Sequence, residues 1–109
     1  MRPDTLRAAL RAYVHTFRVR DRLDAFIQSS GSGKQSDEII KEMEAIMKTA
    51  EDHLWNYPGG VPWTEDFKAD YIKLLRERHP WIDQPCIDTI MSFAGWICWH
   101  EGLNAGTKP

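Results

Sequence analysis

Cys86-Ile87-Asp88-Thr89-Ile90-Met91-Ser92-Phe93-Ala94-Gly95-Trp96-Ile97-Cys98-Trp99 is the stretch on which the fold turns. Wound as a helix, it carries large apolar side chains on every face. Helices of small soluble domains normally show one apolar stripe and one wet face. A segment like this one either sits in the middle of a bundle or buries one face inside the protomer and another against a partner. Ile87, Ile90, Met91, Ala94, Ile97 and Cys98 point one way, and Trp96, Trp99 and Leu103 point roughly the opposite way. Ser92, Ala94 and Gly95 are small, so another helix can approach closely. An internal glycine costs about 1 kcal/mol relative to alanine, which marks that approach as worth having.

Outward from this segment, strong breakers divide the chain into helices. Asp83 is the expected N-cap of the last helix, Pro85 is tolerated in its first turn, and Asn104 with Gly106 are the expected left-handed stop. Residues 107–109 read as a frayed end. Before it, Thr64 caps a helix striped by Phe67, Tyr71, Leu74 and Leu75, which ends at His79-Pro80. Before that, Ser36 is the expected cap of an amphipathic helix striped by Ile39, Met43, Ile46, Met47, Ala50, Leu54 and Tyr57, and Pro58-Gly59-Gly60 stops it.

The first predicted helix runs from about Asp4 to Gln28, and its pattern is odd. Leu6, Leu10, Tyr13, Val14 and Phe17 share one arc, while Val19, Leu23, Phe26 and Ile27 share a second, nearly opposite arc. Either the helix bends near Arg18 or its halves meet different neighbours. Ser29–Gln35 reads as a flexible connection. No stretch alternates clearly enough to be read as a strand. The expected fold is all-α: a single helical domain over residues 1–109, a compact bundle of four helices with the C-terminal helix central.

The 109 residues are 42% apolar and 28% charged, with net charge −2, an ordinary globular balance with no global attraction to polyanions. The charge is uneven. Residues 1–24 hold six arginines against three aspartates, and residues 35–70 hold three lysines against nine acids. A basic helix beside an acidic one satisfies both. The alternative is a polyanion-binding face made by Arg7, Arg11, Arg18 and Arg22.

Motifs for chemistry fail on their spacing. His100-Glu101 lacks the second histidine of a zinc-protease helix, because Asn104 stands there. No histidine has a glutamate three residues before it, as a di-iron bundle requires. Gly33-Lys34 lacks the partner residues of a phosphate loop. No metal or cofactor is expected. Cys86 and Cys98 would lie ~18 Å apart along one helix, too far for a disulfide, so both read as buried thiols. Cys86 lies near a helix N-terminus, where a thiol pKa can fall, which keeps a Cys–His pair in view. His53, Trp55, Tyr57, Trp63 and Trp81 either frame a small pocket or staple loops to the core.

Arg2 and Arg7 are followed by no apolar leader-like run, and residues 86–99 are shorter than the about 20 residues a bilayer needs. The expectation is a cytoplasmic protein with no membrane contact. The leading functional expectation is a non-enzymatic protein-interaction module, an adaptor, inhibitor or immunity-type protein that forms a homodimer. Trp96, Trp99 and Leu103 with Val19, Leu23 and Phe26 are its expected interface. The alternatives are a nucleic-acid-associated regulator using the helix-one arginines, and a small enzyme or ligand binder using His53, His79 or His100.

Overall fold

A computed structural model describes residues 2–106. The described residues are mostly helical and hold five α-helices rather than the four expected. They are α1 (Pro3–Tyr13), α2 (Arg20–Ser29), α3 (Ser36–Trp55), α4 (Glu65–Arg78) and α5 (Gln84–Glu101). The fifth arises because the long first helix does not exist. Between α1 and α2 the chain forms a minimal antiparallel ladder, β1 (Val14–His15) with β2 (Phe17–Arg18).

The cause of the break is in the residues. A straight helix can turn only one of two opposed apolar arcs into a core. Breaking at 14–19 lets α2 fold back onto α1, and both arcs find cover: Leu6, Leu10, Tyr13 and Val14 are buried, and so are Leu23 and Ile27. Val14, Thr16, Phe17 and Val19 are β-branched or aromatic, types that favour extended backbone. The ladder pairs Val14 with Arg18 and His15 with Phe17, leaving Thr16 alone at the tip with φ +70°. A β-branched residue in that region is strained, by roughly 1–3 kcal/mol. The Val19 amide donates to the Tyr13 carbonyl at 2.7 Å and closes the hairpin.

The remaining helices follow the caps read from the sequence, with small shifts. Thr64 accepts from the Phe67 amide at 3.2 Å and Asp83 from the Cys86 amide at 3.0 Å. Ser36 is the first helical residue rather than the cap, because a 3₁₀ turn at Gly33–Gln35 runs into α3. The left-handed stop of α5 is Gly102 (φ +67°), not Asn104. The expectation for residues 107–109 lies outside the described residues.

Buried side chains form one cluster drawn from all five helices. Of these, α3 touches α1, α4 and α5, and its stripe from Ile39 to Leu54 is fully buried. Helix α5 packs on α1, α3 and the hairpin. It buries Cys86, Ile87, Ile90, Phe93, Ala94, Ile97 and Cys98 and leaves Asp88, Ser92, Gly95 and Trp99 exposed. The C-terminal helix is therefore not enclosed on every side, as a central rod would be.

The stop at Gly102 turns the chain under the α3–α4 loop. The Val61 amide donates to Leu103 O and the Ala105 amide to Val61 O, both at 2.8 Å. Trp63 Nε1 donates to Asn104 Oδ1 at 2.6 Å. Gly60 makes this closure fit: its φ is +90°, and a Cβ there would meet Ala105 Cα, Ala105 N and Leu103 O at 3.0 Å. Gly60→Ala is expected to lower unfolding free energy by roughly 1–3 kcal/mol, from strain and backbone collision together. Gly59→Ala, at φ +76° but with open space around its Cβ, is expected to cost less. Urea midpoints of the two variants at equal m-value test the difference.

Candidate interaction surface

Where the hairpin lies across α5, aromatic side chains collect in solvent. Phe17 at the hairpin tip is 50% exposed, although its helical arc had assigned it to the core. Its ring packs on Trp96 with centroids 5.6 Å apart. Trp96, partly buried, also stacks with His100 at 5.0 Å. One turn from Trp96, Trp99 is 73% exposed. The hairpin is held against this face by Arg18, whose guanidinium pairs with Glu51 of α3 at 2.7 Å and lies over the Phe93 ring at 5.9 Å.

Beside the aromatic ridge runs an open groove of about 370 Å³. One wall is Arg11 with Val14, His15 and Thr16; the other is Asp88, Thr89 and Ser92 of α5. Ridge and groove lie along one exposed stripe of α5.

The expected interface residues separate. Trp96 and Trp99 stand together. Leu103 does not join them: it is 3% exposed, because the Gly102 turn tucks it beneath residues 60–63. Leu23 is 1% exposed, because α2 folds onto α1. Val19 and Phe26 are partly buried, Phe26 against the core. The second arc was an intramolecular contact, not a surplus. Phe17 and the groove were missed. The signal that could have found Phe17 is the run Val14-His15-Thr16-Phe17-Arg18-Val19, in which four of six residues are β-branched or aromatic types that favour extended backbone.

The four arginines do not share a helix face, since the break separates Arg7 and Arg11 from Arg18 and Arg22. Arg7 donates to the Trp81 carbonyl at 2.6 Å and to Asp4 at 3.1 Å. Arg18 is engaged by Glu51, so a basic-to-acidic pairing between the two charged regions is realised at this point.

The titratable groups of the interior serve packing. Burial pushes the Cys86 and Cys98 thiols up to about 11, so both are protonated near neutral pH. For Cys86, desolvation overrides the expected lowering at a helix N-terminus. His53 is packed among rings rather than lining a pocket, stacked on Tyr71 at 5.2 Å and Phe67 at 5.7 Å, with no partner for Nε2. His79 caps the end of α4 and shares a 2.9 Å hydrogen bond with Thr49 of α3. Tyr71 donates to the Ala50 carbonyl at 3.0 Å. Among the described residues no group of three or more His, Cys, Asp or Glu could hold a metal ion. No helix among them is long and apolar enough to cross a membrane.

No protein-family model, curated protein or solved structure matches the chain.

Desolvation lowers the pKa of both His53 and His79 below 6.5, Asp70 and Glu42 opposing it only in part. The unfolded chain thus takes up these protons first, and stability is lost as pH falls through 6.5 towards the folded values. Urea midpoints are expected to fall between pH 7 and pH 5. The double substitution His53→Phe with His79→Gln is expected to flatten that slope; an unchanged slope would assign the acid sensitivity to other groups.

Proposed function

We propose that this protein is a non-enzymatic interaction module that self-associates through the face built by Phe17, Trp96 and Trp99. The observation that carries the reading is Trp99, a tryptophan 73% exposed beside a second tryptophan and a half-exposed phenylalanine. Burying apolar surface yields roughly 25 cal/mol per Å², so the exposed parts of Trp99 and Phe17 beside the partly buried Trp96 forgo a favourable burial that a partner can supply. Tryptophan is also the residue type most enriched among interface hot spots. The face carries a projection and a groove side by side, which is the self-complementarity that a twofold contact requires. Among adaptor, inhibitor and immunity-type roles, all act through such a surface. Two buried, unpaired thiols suit a reducing compartment, in keeping with a cytoplasmic setting.

Light scattering across a concentration series up to on the order of 100 μM, far above a micromolar dissociation constant, tests the reading. The expected mass is twice that of the chain. Trp99→Lys is expected to return it to the monomer with the helical circular dichroism signal unchanged, because that side chain is mostly outside the fold. A wild-type monomer throughout the series would overturn the proposal.

A further inference from the structure

Between its two exposed ends, α5 exposes Asp88, Ser92, Gly95 and Trp99, spaced by four, three and four residues, and they therefore stand in one row. At 1.5 Å per residue, Trp99 lies ~6 Å from Gly95 towards the C-terminus, and the groove wall from Asp88 to Ser92 lies ~4–11 Å from Gly95 towards the N-terminus. Projection and recess are thus nearly equidistant from Gly95, on opposite sides. We infer that the groove at Arg11, Thr16 and Ser92 is the receptor for Trp99 of a second copy, across a twofold axis at Gly95 that sets the two α5 helices antiparallel. This rests on the self-association proposed above and specifies its geometry.

Three observations converge on that arrangement. A twofold perpendicular to α5 exchanges the two helix ends but keeps the hairpin flank on the same side. It therefore carries Trp99 to the flank where the groove opens, and brings each Phe17–Trp96 pair beside its copy near the axis. Gly95 permits the approach, since a Cβ added there meets nothing within 4 Å and no side chain of its own protomer covers it. The groove volume of about 370 Å³ is in the range that accepts organic ring systems.

The chemistry of the recess also suits an indole. Its floor includes buried Val14. Arg11 lines it, and among the described residues no carboxylate lies within ion-pair distance of that guanidinium. A guanidinium and the face of a tryptophan attract one another, and the attraction grows as water is excluded. The strained Thr16 acquires a purpose here. Its turn directs His15 to the groove and Phe17 to the ridge, so the groove wall and the flank of the ridge both depend on one residue at φ +70°.

Gly95→Cys tests the axis. Two copies of one position on a twofold lie close enough for the short Cα separation a disulfide demands, and Cys86 and Cys98 are buried and do not compete. Under mild oxidation G95C is expected to form a disulfide-linked dimer about tenfold faster than Ala45→Cys, an exposed α3 control, because association raises the effective concentration. Ser92→Trp fills the groove from within its own chain and is expected to weaken self-association by about tenfold. If the wild type is a dimer by light scattering but G95C links no faster than the control, the antiparallel geometry is overturned while self-association stands. If the wild type is a monomer, both fall. Should S92W fail to fold, G95C still decides, because Gly95 is exposed and a Cβ there meets nothing within 4 Å.

Discussion

The turn at Thr16 holds the rest of the molecule in place. It lets the chain reverse within five residues, so that two opposed apolar arcs both reach the core. Without the reversal, α1 could cover α3 and α5 only by leaving Leu23 and Ile27 in water. With it, α2 packs on α1, and the hairpin becomes a strap across α5. The strain of a β-branched residue at positive φ is offset by this added burial. Each Leu or Ile side chain taken from water contributes about 1.5–3 kcal/mol, comparable with the strain at one residue.

The same strap decides which aromatics stay wet. Its tip carries Phe17 out onto Trp96, and Arg18 fastens it to Glu51 and over Phe93. An ion pair between partly exposed groups adds little stability by itself. Its consequence is positional: it sets the height of the ridge and the depth of the groove beside it. The exposed face is thus a by-product of how the core was closed.

A second seam, between α3 and α4, is held by rings and two histidines. His53 lies in the stack with Phe67 and Tyr71, while His79 reaches back to Thr49. Tyr71 donates to the Ala50 carbonyl within α3. The two histidines are candidates for ligand chemistry in the sequence because imidazole is a reactive group. In the structure His53 packs against rings and His79 bonds Thr49, and desolvation favours the neutral imidazole of both.

The sequence by itself determined the helical class, the breakers, the two working caps at Thr64 and Asp83, the stripe of α3, and the two opposed arcs of the N-terminal segment. These are local signals: a hydroxyl or carboxylate three residues before an amide, a period of 3.6, a proline or a glycine pair. It also marked Trp96 and Trp99 as more apolar surface than one protomer would cover. Only the tertiary structure decided the sides to which those arcs turned. Leu103 and Leu23 look like surplus apolar residues until Gly102 and the 14–18 hairpin fold them under neighbours far away in the chain. Phe17 looks like core until the same hairpin lifts it out. Periodicity reports which residues share a face, but what that face meets depends on contacts between distant segments, and no local pattern encodes them.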